Sequence, residues 1–208
     1  MFEDKINKIF NKNEPIFIEE ILEAIQDYSR AYTFRQIKKM EQTGSIVRFT
    51  QGVYYLPNET EFGKPVISID DIVKKKYIQD KGETFGVYSG LVLQNMFGVT
   101  TQVPNVLEIV TNKESTRCRK ITLEGREFIL RKARVNITKE NANAYMILQL
   151  FSEIKDASYM DERGIKTIRS YMKKTKVTNK DLFKLVDVFP AKTVKNLMLS
   201  GVLNDSSL

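Results

Sequence analysis

Apolar residues recur at two periods along this chain, and the change from one to the other marks out its elements. Over residues 2–44 the spacing is helical. The stretch "FEDKINKIFN" (2–11) puts Phe2, Ile6, Ile9 and Phe10 on one side of a first helix, and "NEP" then breaks it. "IFIEEILEAIQ" (16–26) puts Ile18, Ile21, Leu22 and Ile25 on one face of a second. After the polar turn "DYSRAY", Thr33 and Gln36 have the spacing of a capping box. That spacing predicts a third helix starting at Thr33, burying Phe34, Ile37 and Met40, and ending at Gly44. The pattern then shortens. In "SIVRFTQGVYYLP" (45–57), the stretches 45–48 and 53–56 flank a polar turn that holds Gly52. They predict a β-hairpin too small to be stable alone, which must therefore pack on the helices before it.

"PNETEFGKP" (57–65) has two prolines, a glycine and alternating charge, and reads as a linker. A second unit follows from about residue 66. "SIDDIVKKKY" predicts a helix beginning near Ser68, and "YSGLVLQNMFG" a helix apolar nearly all round and therefore buried. "NVLEIVTN" is a strand, and "RKITLEGREFILRKARV" a hairpin turning at Glu124 and Gly125. "KENANAYMILQLFSEI" is a long helix with Tyr145, Leu148, Phe151 and Ile154 on one stripe. Strands between helices imply a compact α/β unit over 66–155. The tail, 156–208, reads as helices over about 161–174, 179–187 and 190–200. The expected fold class is therefore α+β: an N-terminal winged helix-turn-helix (1–57), an α/β middle domain and a helical C-terminal segment.

Charge sharpens this picture at one end. The 208 residues hold 33 Lys and Arg against 26 Asp and Glu, a net +7, which favours an anionic partner. Residues 28–57 carry Arg30, Arg35, Lys38, Lys39 and Arg48 against Glu41 alone. If Phe34, Ile37 and Met40 face inward, the 100° helical step sends Arg35, Lys39 and Gln42 to the far side, flanked by Tyr32 and Gln36. A recognition helix lays such a face in the major groove of double-stranded DNA. The hairpin tip, with Arg48, Thr50, Gln51 and Gly52, would be the wing over the neighbouring backbone. The plainer alternative is a small helical packing unit with a solvated basic face.

Two further basic groups are less decided. Arg117, Arg119, Lys120, Arg126, Arg131, Lys132 and Arg134 lie on the central hairpin, some alternating with Ile121, Leu123, Phe128 and Leu130. They could meet phosphate or an acidic protein surface, or form a solvated strand face. Arg163, Lys166, Arg169, Lys173 and Lys174 recur at helical spacing and allow the same two readings. "VKNLMLSGVL" (194–203) echoes "IKKMEQTGSI" (37–46), so the tail holds either a second helix-turn-helix or a packed helical pair whose glycine ends a helix.

Catalytic chemistry finds little to work with. The absence of histidine removes the commonest general base and metal ligand, and no P-loop or dinucleotide fingerprint occurs. Glu153 and Lys155 have one spacing a metal-dependent nuclease could use, but a solvated pair at a helix end explains them more simply. Asp70 and Asp71 near Glu83 read better as an acidic helix start than as a cation site. Cys118, the single cysteine, lies among cations that would lower its pKa, yet an incidental strand cysteine is the simpler reading. No cofactor and no enzymatic activity are expected. Apolar runs are too short to span a membrane, and Glu3 and Asp4 argue against a secretory leader, so a cytoplasmic protein is expected.

Three segments in order, "KKMEQTGSIVRFTQGVYYLP", "VYSGLVLQNMFGVTTQVPNVLEIVTN" and "RKITLEGREFILRKARV", resemble the AbiEi-type antitoxin family of type IV toxin–antitoxin systems, in its branch of short AbiEi-like proteins. The likeness covers about residues 1–155. It implies a winged helix that represses its own operon, and a remainder that counters a nucleotidyltransferase-like toxin without stable contact. By position, Thr33, Arg35, Gln36, Lys39 and Arg48 match the DNA-reading helix and wing. An operator with an inverted repeat, bound by two molecules, is the natural target. The competing expectation is a protein-interaction module for an acidic partner, with the winged helix as scaffold.

Overall fold

The computed structural model describes residues 1–58, 63 and 66–204, so most of the expected linker lies outside the described residues. The fold is mixed α+β, and the chain divides into two compact units, residues 1–75 and 76–208. Among the described residues no helix is long and apolar enough to cross a membrane.

The first unit holds α1 (Phe2–Ile9), β1 (Ile16–Phe17), α2 (Ile18–Ala24), α3 (Arg30–Thr43), β2 (Val47–Thr50), β3 (Val53–Tyr55) and most of α4 (Ile69–Tyr77). The strands form an antiparallel sheet in the order β1-β3-β2. Strand β1 falls within the stretch expected to be helical. There Ile16 and Phe17 pair with Tyr54 and Val53, and the Glu20 carboxylate accepts the Phe17 amide at 2.9 Å, so the helix starts only at Ile18. Phe2, Ile6, Ile16, Ile21, Ile25, Ile37, Met40, Ile46, Tyr54 and Leu56 make one core. Ile9, expected inside, is exposed. Lys75 ties α4 to this unit, its ammonium donating to the Pro15 carbonyl at 2.6 Å and to Glu20 at 2.8 Å.

Helix α3 begins three residues before the predicted start. Ser29 is its N-cap, its hydroxyl accepting the Tyr32 amide at 3.3 Å, so the expected capping box at Thr33 and Gln36 does not form. The earlier start is accompanied by a different inner stripe. Thr33, Ile37 and Met40 are buried at i, i+4 and i+7, whereas Phe34, expected in the core, is 41% exposed. Gly44 ends the helix at φ 74°, a left-handed conformation that favours glycine.

In the second unit a sheet runs in the order β6 (Gly86–Ser89), β7 (Leu107–Thr111), β9 (Arg126–Lys132), β8 (Cys118–Leu123), with β7 and β9 parallel. A two-stranded ribbon, β4 (Gln79–Asp80) with β5 (Glu83–Thr84), precedes it. The β8–β9 turn falls at Glu124 and Gly125, both at positive φ, as the sequence predicts. Helix α5 (Gly90–Met96) is less buried than expected, with Leu93 enclosed and Met96 exposed. Helix α6 (Ala142–Glu153) is the centre of the core, buried from Ala144 through Phe151 on every face.

The tail helices α7 (Glu162–Thr175), α8 (Asn179–Phe183) and α9 (Ala191–Leu199) share that core through Ile168, Met172, Leu182 and Leu197. Asn196 donates to the Phe151 and Ile154 carbonyls at the end of α6, at 3.2 and 3.4 Å. Arg169 donates to the Gly201 carbonyl at 2.7 Å. The echo between 37–46 and 194–203 therefore has a packing content: Gly44 and Gly201 end their helices at φ 74° and 77°, while Met40 and Leu197 are both core residues.

Candidate nucleic-acid interface

With Thr33, Ile37 and Met40 facing in, the 100° step sets Ala31, Arg35, Lys38 and Gln42 opposite them, with Lys39 beside them. All five are exposed. Among the described residues no ion pair involves Arg30, Arg35, Lys38, Lys39 or Arg48. The face carries uncompensated positive charge because its only acidic neighbour on α3 is Glu41. Arg30 is the first helical residue, and no acidic side chain lies in the first turn to offset it against the positive end of the helix dipole.

The remaining expected residues divide. Tyr32 is half-buried and stacked on Tyr28, ring centres 5.0 Å apart, and it also meets the Phe2 ring edge-on. It braces α3 against α1. Gln36 is half-buried on the same flank. Thr33 is 1% exposed, which removes it from any contact surface; it occupies the inner stripe that Phe34 was expected to fill. Phe34 takes its place outside, and the Arg30 guanidinium lies 5.7 Å from its ring centre.

The hairpin is short and fixed at its base. Its pairing slips between Arg48 and Thr50, a bulge that leaves Phe49 without a partner opposite. Gly52 turns the chain at φ 76°, and its carbonyl accepts the Ile18 amide at 2.9 Å. Arg48 and Gln51 are exposed and Thr50 half-exposed. Arg48 lies opposite Tyr54 in the ladder, and its side chain reaches the Thr50 carbonyl at 3.4 Å. Burial pushes the Tyr54 hydroxyl pKa up, Glu41 adds to the rise and Arg48 opposes it.

The central basic hairpin is partly compensated by carboxylates of β7, of the loop after it and of the hairpin itself. Arg119 donates to Glu114 at 2.8 Å, Arg131 pairs with Glu108 at 2.8 Å, and Lys120 stands 4.0 Å from Glu127. Arg126 and Arg134 lie over the Phe128 and Phe189 rings. The register also splits the cations, with Lys120 and Arg131 on one face and Arg119, Arg126 and Lys132 on the other. Arg117, Lys132 and Arg134 are exposed. In the tail, Arg169 is taken up by backbone carbonyls and Lys166 lies 4.0 Å from Glu162.

The acidic candidates have structural partners. Glu153 accepts from the Ser89 hydroxyl, from the Gly90 amide at 2.9 Å and from Gln149 at 2.8 Å, which fixes the start of α5 to α6. Asp71 and Ser68 cap α4 reciprocally, each bond 3.0 Å. Among the described residues no group of three His, Cys, Asp or Glu side chains is placed to hold a metal ion.

Sequence reasoning missed Phe34 as a surface residue. The signal that would have found it is Ser29, a better N-cap than Thr33, since starting the helix at Arg30 puts Thr33 in line with Ile37 and Met40.

An N-terminal helical unit closed by a basic helix and a β-hairpin, joined to an α+β unit, is thus the class of molecule at hand. The chain belongs to the DUF6088 family, a family of unknown function, which it matches over residues 2–180. No curated protein matches the sequence.

Proposed function

We propose that this chain is a DNA-binding transcriptional regulator whose first unit is a winged helix-turn-helix, and that it acts as an AbiEi-like antitoxin repressing its own operon. The observation that carries the reading is the two-sided character of α3. One stripe, Thr33, Ile37 and Met40, is locked in the core. The opposite side displays Arg35, Lys38, Lys39 and Gln42 to solvent with no ion pair among the described residues. Unpaired, clustered cations beside a short hairpin suit a polyanion better than a folded protein surface, because each phosphate neutralised releases counterions.

In this reading α3 lies in a major groove with Arg35 nearest the base edges, and Arg48 contacts a phosphate of the adjacent backbone. A bidentate arginine reads guanine, whereas a phosphate contact positions the protein without reading sequence. Two molecules would occupy an inverted repeat. The toxin, a nucleotidyltransferase-like protein, would be countered functionally rather than by stable contact.

A gel-shift titration on the DNA upstream of the coding region tests this. Arg35→Ala is expected to cost about 1–3 kcal/mol and to relax base preference at one position. Arg48→Ala is expected to weaken all sequences alike. If both variants bind as the unaltered protein does, α3 and the hairpin are not the interface.

A further inference from the structure

Phe34 is a large apolar side chain on a flank of α3 that also carries Arg30, Ala31, Lys38 and Glu41. It is 41% exposed and adds nothing to the core of its unit, which Ile37, Met40 and the residues around them fill without it. Its helical neighbours at i−4, i−3, i+1 and i+4 are Arg30, Ala31, Arg35 and Lys38, all exposed. Glu41, at i+7, lies on the same flank. The ring therefore stands beside the outward cations of α3, in the N-terminal half of the helix, where a recognition helix meets base edges.

The surroundings select the occupant. A partner that covers this ring must offer a small apolar group and, on both sides of it, enough negative charge to meet Arg30, Arg35 and Lys38. Duplex DNA does this in its major groove. Phosphates line the rims, and the C5-methyl group of thymine is the one apolar feature of the floor.

Resting on the DNA-binding reading above, we propose that Phe34 is a specificity-determining residue that packs on a thymine C5-methyl group in the major groove. Arg30, whose guanidinium lies over the ring 5.7 Å from its centre, holds the adjacent phosphate. Base preference then has two physically different parts: hydrogen bonding by Arg35 and methyl recognition by Phe34. The preferred duplex contains a thymine close to the base that Arg35 reads.

The test removes the methyl group without touching hydrogen bonding. The full-length chain selects its preferred duplex from a random-sequence pool, and that duplex is remade with deoxyuridine at each thymidine in turn. At one position the replacement is expected to weaken binding about fourfold, the value of one buried methyl group. Phe34→Ala is expected to bind the thymine and uracil duplexes equally at that position, and Phe34→Leu to keep part of the difference. Melting temperatures of both variants, expected to match the parent because Phe34 lies outside the core, separate a local effect from misfolding. Equal binding of both duplexes by the unaltered protein overturns the proposal, as does the same uracil penalty in Phe34→Ala. A shift in oligomeric state on Phe34→Ala, with no change in thymine preference, overturns it in favour of a protein contact. If no duplex is enriched or bound, the DNA-binding reading falls as well; selective binding without a Phe34-dependent methyl effect removes only this inference.

Discussion

Glu114 shows how much of the basic character of the second unit is internal. Its side chain is 3% exposed, yet it stays ionised because both oxygens have donors, three at Oε1 and the Arg119 guanidinium at Oε2. Burial opposes the charge; the Thr116 amide and hydroxyl, the Ser115 amide and the Arg119 guanidinium outweigh it and bring the pKa down from 4.5 to about 2. The unfolded carboxyl titrates near 4.5, so the stabilisation is complete above that pH and drains away as pH falls toward about 2. Glu114→Gln is expected to cost about 2–3 kcal/mol at pH 7, since hydrogen bonds to a buried charge are lost. Urea unfolding of both proteins between pH 7 and pH 2 checks this: the gap should close only below about pH 4.5. Arg119, tied to this carboxylate, is accordingly an anchor for the loop between β7 and β8, whereas Arg35 and Lys39 have no such tie among the described residues.

At the scale of elements, α3 carries both fold and candidate site, and its N-terminus decides which side chains face which way. Ser29→Ala removes the hydroxyl that accepts the Tyr32 amide and is expected to lower stability by about 1 kcal/mol, read as a reduced midpoint in thermal unfolding followed by circular dichroism. No loss would mean that tertiary packing alone sets the start of the helix. The same three-residue difference explains what the sequence made legible here. Ile37, Met40 and Gly44 are fixed by periodicity and by the left-handed helix end, and Arg35 and Lys39 follow from them on the outer side. Thr33 and Phe34 are not fixed, because stripes through either fit a helical period and hydrophobicity points to the wrong one. Strand β1 was hidden for a similar reason: two residues of β-branched and aromatic type merge with the helix that follows, and only pairing with β3 separates them. The β8–β9 hairpin was legible because Glu124 and Gly125 supply the turn. Its compensation by Glu108, Glu114 and Glu127 was not, since those pairs depend on the sheet order β6-β7-β9-β8.

At the scale of the molecule, the positive charge is sorted rather than merely abundant. The second unit matches many of its cations with carboxylates, carbonyls and aromatic rings of its own. The helices after residue 156 close its core around α6, giving the tail a structural part to play. The first unit instead leaves Arg30, Arg35, Lys38, Lys39 and Arg48 exposed on α3 and the hairpin. The central claim is that these cations meet phosphate and base edges, and the salt dependence of binding tests it most directly. A fluorescence-anisotropy titration of the full-length chain on its selected duplex, from about 50 to 200 mM salt, should give a log–log slope of about −4, as expected if four or five phosphates are neutralised. Lys38→Ala/Lys39→Ala, folded like the parent, should flatten that slope by about 2. A slope unchanged in the double variant, or binding insensitive to salt in the parent, would contradict the account.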